Sequence, residues 1–128
     1  MLVDNKLNIY IVEDNLLIAA SLKHMLLSLG HSVCGTSVNY NKAVTELPTL
    51  KVDLVITDII LEGKKTGVDL GLFIKKHLHI PFFYQSSIAS SDMINAAMES
   101  LPEAYLPKPV SKEILSKAIN DFSARQNK

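Results

Sequence analysis

Cysteine is nearly absent from this chain: Cys34 is the one such residue in 128. A lone cysteine forms neither an internal disulfide nor an all-cysteine metal site, so a reducing, cytoplasmic setting is the expectation. Net charge is absent as well, since 13 Lys and Arg balance 13 Asp and Glu. Without a basic excess, direct nucleic-acid binding and a polybasic membrane anchor are not expected. No apolar run approaches the roughly 18 residues that a membrane span needs. Residues 1–6 (MLVDNK) lack the charged, apolar, small-residue order of a secretory signal. Long Pro/Gly/Ser stretches, charge blocks and repeats are also missing, so no internal boundary is visible. What is present is an ordinary globular composition, 48% apolar. Such a chain buries about two-thirds of its unfolded surface and can offset its chain entropy, which removes disorder as the main reading. A single domain over residues 1–128 is expected, with a core at about 7–123 and a polar tail, SARQNK, at 123–128.

Short β-rich runs alternate with helical periods. Residues 7–12 (LNIYIV) form a near-continuous apolar run, the pattern of a buried strand. Ile18, Leu22, Met25, Leu26 and Leu29 then fall on one helix face, and Gly30 stands where a helix end favours a left-handed residue. Residues 32–37 (SVCGTS) are a weaker strand. Tyr40, Ala43, Val44 and Leu47 repeat the helical spacing, with Pro48 expected to close it. The strongest strand signal is DLVITDI at 53–59, followed by the loop EGKKTG at 62–67. Leu70, Phe73, Ile74 and Leu78 predict a third helix. PFFYQS at 81–86 predicts a fourth strand that starts with proline. Ile94, Ala97, Met98 and Leu101 predict a fourth helix, and AYL at 104–106 a short fifth strand. Ile114, Leu115, Ala118, Ile119 and Phe122 predict a last helix capped by Ser111. Five strands alternating with five helices imply an α/β, doubly wound parallel sheet, because right-handed crossovers cover both faces.

Such sheets bind ligands beyond the carboxyl ends of their strands. Glu13 and Asp14 follow the first strand, Asp58 ends the third, Ser86 and Ser87 end the fourth, and Lys108-Pro109 follow the fifth. Three carboxylates gathered a few ångströms apart repel, so one must take a proton or a cation must bind. Hard oxygen ligands suit Mg²⁺. A carboxylate beside such an ion can attack a phosphoryl group, while a lysine and a hydroxyl hold the phosphoryl oxygens. Phosphate chemistry built on glycine has no support, since neither a P-loop nor a Gly-x-Gly-x-x-Gly turn occurs. His24, His31, His77 and His79 show no metal spacing with one another or with Cys34.

Taken singly, these residues are ordinary. Asp14 could cap a helix, Asp58 could form an Asx turn, and Lys108 could be a solvated surface lysine. Together and in this order, over essentially the whole chain, they resemble the receiver domain of two-component response regulators. The resemblance implies a flavodoxin-like sheet of order 2-1-3-4-5. It implies Asp58 as the phosphoacceptor, loaded from the phosphohistidine of a histidine kinase or phosphotransfer protein. It implies Mg²⁺ (or Mn²⁺) held by Asp14, Asp58 and the carbonyl of Ile60, with Glu13 acting mostly through a metal-bound water. Lys108 would pair with Asp58 and then with the phosphoryl oxygens. Ser86, flanked by Ser87, would bond the phosphoryl group, and Tyr105 would turn inward as that hydroxyl moves. Pro109 would be a cis-proline. The surface of the fourth helix, fifth strand and fifth helix would then control a downstream protein or output domain, or a phosphorylation-linked homodimer. The domain would promote its own loading and loss of phosphate without being a turnover enzyme.

The chain departs from the family's common pattern in several places. IILEG at 59–63 lacks the frequent proline, Lys64 and Lys65 stand in the following loop, LPEA at 101–104 replaces the usual Gly-Ala, and Ser86 replaces threonine. The altered 101–104 segment motivates a rival reading, a receiver-fold interaction module that works without phosphorylation. A second rival, a Mg²⁺-dependent phosphatase of the haloacid type, needs a second acid two residues after the nucleophile, and position 60 is isoleucine.

Overall fold

The computed structural model describes residues 6–87 and 90–126. Residues 1–5 and the last two residues of the expected polar tail lie outside the described residues. Five parallel strands, β1 (Asn8–Val12), β2 (Ser32–Ser37), β3 (Leu54–Asp58), β4 (Phe82–Ser86) and β5 (Ala104–Pro107), form one sheet in the order β2-β1-β3-β4-β5. The helices are α1 (Leu16–Ser28), α2 (Tyr40–Glu46), α3 (Gly67–Phe73), α4 (Ser91–Glu99) and α5 (Lys112–Gln126). The expected fold class and strand order are both present.

Alternation along the strands divides the core into two layers. Ile9, Ile11, Ile56 and Phe83 pack against Leu22 and Leu26 of α1 and against Leu115, Ile119 and Phe122 of α5. Tyr10, Val12, Val55, Phe82 and Tyr84 pack against Ala43 of α2, Leu70 of α3 and Ala97 of α4. β1, β3 and β4 are buried on both faces, which explains their near-continuous apolar runs. β2 is an edge strand, and its pairing with β1 slips at Ile9/Tyr10. Its weak sequence signal reflects that half-exposed place.

Local chemistry fixes the element ends. Asn15 caps α1, its side chain accepting from the amides of Leu17 and Ile18 at 3.0 and 3.1 Å. Gly30 has φ +93° and ends that helix as expected. Thr66 and Asp69 form a capping box at α3, and Ser111 accepts from the amide of Ile114 at 3.1 Å to cap α5. Pro48 does not stop the chain's winding. It occupies the first turn of a 3-10 segment, Leu47–Thr49, where a missing N–H is tolerated. The third helical period continues past α3 as a π-helical turn, Ile74–Leu78, ended by His79 at φ 57°.

Three expected core positions are solvent-facing. Met98 and Ile114 lie on the outer sides of α4 and α5, and Leu101 lies beyond α4 altogether, at φ 60°. α4 closes earlier than the apolar period suggested, because Ser100 turns the chain toward β5. At the other end, 123–126 differ from the expected tail: they continue α5, with Ser123 buried and Arg125 donating to the Glu103 carbonyl oxygen at 3.1 Å.

Candidate functional site

β1, β3, β4 and β5 each release a functional residue at the same edge of the sheet. β1 runs directly into Glu13, whose amide donates to the Ser37 carbonyl oxygen at 2.9 Å. β3 ends on Asp58 and β4 on Ser86, both buried. Lys108 leaves β5 with its amide donating to the Ser86 carbonyl oxygen at 3.0 Å. Glu13, Asp14, Asp58, Ile60, Ser86, Ser87 and Lys108 thereby line one hollow of about 290 Å³.

The acidic centre is compact. Carboxylate oxygens of Glu13, Asp14 and Asp58 lie within 4.8 Å of one another. Glu13 is almost fully buried, while Asp14 faces solvent. The Lys108 ammonium bridges the two buried acids, donating to Glu13 Oε1 at 2.8 Å and Asp58 Oδ2 at 2.7 Å. Pairing with Asp58 was expected from the resemblance; the equal hold on Glu13 was not. Asp58 Oδ1 also accepts from the amide of Ile60 at 3.3 Å.

Glu13 receives two further donors, the Asn15 amide on Oε2 at 3.0 Å and Gln85 Nε2 on Oε1 at 3.2 Å. Burial raises the Glu13 pKa above its ordinary value; Lys108 and Asn15 oppose that rise and the Asp58 charge adds to it. Burial works against the Lys108 ammonium, yet Asp58 and Glu13 outweigh it, so its pKa also lies above the ordinary value.

The remaining expected residues fall around this centre. The Lys108–Pro109 peptide bond is cis. Pro109 and Lys108 also line a neighbouring, mainly apolar hollow beside α1. Tyr105 is half-buried and packs on the α3/α4 side of the sheet, outside the acidic hollow. Ile60 has an exposed side chain, so its contribution to the site comes through its main chain.

Three contributors escaped the sequence reading. Asn15, rather than Asp14, caps α1 and steadies Glu13. Gly67 lies against the site's main chain: a Cβ there would sit 1.8 Å from the Asp58 carbonyl oxygen, and its amide donates to the Ile59 carbonyl oxygen at 2.7 Å. Gln85 is a buried amide in an otherwise aromatic strand, and that contrast with FFY was the available signal.

Oxygen donors in this number fit a hard divalent cation, and nothing in the set favours a soft metal. A strand-end aspartate beside a lysine and a hydroxyl is the layout of an acyl-phosphate acceptor. Residues 9–120 match the Response regulator receiver domain family, and the chain belongs to that family. It is thus a receiver domain of two-component signalling, a class that binds Mg²⁺ at an acidic pocket and works with kinases and output domains.

Among curated proteins, it is similar to the transcriptional regulatory protein PdtaR of Mycobacterium tuberculosis, 30% identical over 111 residues, which cover 87% of this chain and 54% of that protein. It is also similar to the sensory transduction protein BceR of Halalkalibacterium halodurans, 29% identical over 117 residues, 91% of this chain and 50% of that one. The chain therefore spans about half the length of the curated relatives it matches.

Among solved structures, the signal receiver domain of a modulated diguanylate cyclase from Desulfovibrio desulfuricans superposes with a TM-score of 0.88 at 29% identity, covering 97% of this chain and 100% of that one. The isolated REC domain of RcsB from Salmonella enterica serovar Typhimurium, solved with the phosphomimetic BeF3-, gives 0.86 at 21% identity, covering 94% and 90%, a likeness of fold.

Proposed function

We propose that Asp58 accepts a phosphoryl group from the phosphohistidine of a histidine kinase or phosphotransfer protein, and that residues 1–128 act as one cytoplasmic switch domain. The carrying observation is the Lys108 ammonium shared between Asp58 and Glu13 at 2.7 and 2.8 Å, over three carboxylates within 4.8 Å. Asp14, Asp58 and the Ile60 carbonyl would hold Mg²⁺ or Mn²⁺ directly, with Glu13 acting through a water. When bound, that ion supplies charge neutralisation at the phosphoryl oxygens.

An Asp58 carboxylate oxygen attacks phosphorus, the phosphorus–nitrogen bond breaks, and its electron pair returns to the donor imidazole. Lys108 then moves from Asp58 to a phosphoryl oxygen, and Ser86 donates to another. Ser87 lines the same hollow and would assist Ser86 at the phosphoryl group. Tyr105 turning inward would pass the change to the surface of α4, β5 and α5. A downstream protein, an output domain or a second copy reads that surface; neither nucleic acid nor membrane is a direct partner.

Moving such a switch from mostly off to mostly on takes about 3–5 kcal/mol of differential stabilisation. Charge-assisted hydrogen bonds to Lys108 and Ser86 plus a bound cation are of that order.

Acetyl phosphate with Mg²⁺ is expected to add the mass of one phosphoryl group to the wild type and none to Asp58→Asn. Equal uptake by the variant overturns the assignment. Partner affinity that ignores beryllofluoride would favour the phosphorylation-independent module instead.

A further inference from the structure

We infer that Gln85 is a positioning residue for the acidic site: by holding one oxygen of Glu13, it sets how tightly the site takes a divalent cation. This deepens the preceding proposal and rests on it.

β4 alternates across the sheet. Phe82 and Tyr84 enter the layer under α3 and α4, whereas Phe83 enters the layer under α1 and α5. Gln85 shares the face of Phe83, and Glu13 continues the face of Ile9 and Ile11. The two side chains therefore meet on one side of the sheet, with β3 between their strands.

A carboxamide at 1% exposure is costly to bury unless it is bonded. Its Nε2 finds Glu13 Oε1 at 3.2 Å, the same oxygen that Lys108 holds. The backbone fixes this reach: Gln85 pairs with Asp58 in the β3/β4 register, and the Ile59 amide donates to the Gln85 carbonyl oxygen at 3.3 Å.

The donors on Glu13 differ in what they do when the site loads. Lys108 is shared with Asp58 and is the group that follows the phosphoryl oxygens. The Asn15 amide is tied to the start of α1. Gln85 is neutral, belongs to the sheet, and stays on Glu13 when Lys108 leaves. It orients a buried carboxylate without adding a positive charge that would repel a cation. Donors of this outer kind usually change metal affinity by about 10–100-fold when removed. Glu13 reaches the ion through water, so the lower end of that range applies.

The test uses the wild type and Gln85→Met, an apolar replacement of similar volume. Mg²⁺ is titrated into each and followed by calorimetry, and unfolding without metal is recorded in parallel. The expected result is a Kd raised about tenfold in a variant that still unfolds cooperatively. A side-chain amide signal of Gln85 in wild-type NMR spectra should also shift with the same Mg²⁺ midpoint, which needs no variant to fold. A Gln85→Met protein that binds Mg²⁺ as the wild type does, or an amide signal blind to Mg²⁺, overturns this inference and leaves the acidic site standing. A wild type that binds no Mg²⁺ overturns both.

Discussion

At Glu13, three donors converge on a carboxylate from which water is almost excluded. Burial raises its pKa above the ordinary 4.5, so the folded chain holds this proton more tightly than the unfolded chain. The sign follows from linkage: metal-free stability falls as pH rises from about 4.5 through the folded value. Glu13→Gln cannot titrate and is expected to flatten that slope, read from urea unfolding in chelator at stepped pH. The same variant is expected to bind Mg²⁺ more weakly. Lys108 has a linkage of the same sign in a far more alkaline window. Its raised pKa supports the fold below the ordinary 10.5, and that support is lost only as pH climbs through the higher folded value. Single residues also show why part of the site was hidden in the sequence. Asp58, Ser86 and Lys108 were legible only together, from their order at the ends of successive strands. Gln85 was not, because a one-letter string does not say which side of β4 meets Glu13.

At the scale of elements, the β3–α3 connection depends on the absence of a side chain. A Cβ at Gly67 would lie 1.8 Å from the Asp58 carbonyl oxygen, so backbone must move. Gly67→Ala is expected to cost about 1–3 kcal/mol in urea unfolding, the usual range for overpacking. It is also expected to slow phosphoryl uptake, because the displaced atoms belong to Asp58, the proposed acceptor.

The α4–β5 connection carries the reverse case. Leu101 is exposed at φ 60°, a conformation that costs a branched residue about 1–2 kcal/mol. Leu101→Gly is expected to recover roughly 1 kcal/mol of stability despite the glycine's greater unfolded freedom, visible as a higher urea midpoint. A glycine at the family's usual position nearby fits this geometry, and this chain's LPEA segment forgoes it.

Element boundaries were least legible where packing overrides local pattern. Leu101 extended an apolar period that the turn at Ser100 interrupts, and Met98 falls on the outer side of α4. Pro48 looked like a stop and became the first turn of another helix. The central three strands were plain in the sequence because they are buried on both faces and largely apolar, whereas the edge strand β2 gave a weaker signal.

For the molecule as a whole, the site is a cost carried by the sheet. Three carboxylates share one edge with a single bridging ammonium among the described residues that line the hollow. A divalent ion that binds only the folded chain stabilises it by mass action, by about 2.7 kcal/mol at a hundredfold excess over Kd. Thermal unfolding is therefore expected to shift upward with Mg²⁺ and to return on chelation. Asp14→Asn is expected to abolish most of the shift while keeping or slightly raising metal-free stability, since Asp14 is exposed and one of three repelling charges is removed. The parallel order of the sheet followed from alternating strand and helix signals together with the family likeness. The sharing of one ammonium by two acids did not, because it is a distance between residues 95 positions apart.

That separation has a consequence for synthesis. Glu13 and Asp58 are made early and the ammonium that bridges them late, after the fifth strand. A ribosome-bound chain that has not yet emitted residue 108 carries the acids but not the clamp. If Asp58 accepts the phosphoryl group as proposed, such a half-born chain is expected to take up none until its sheet is complete.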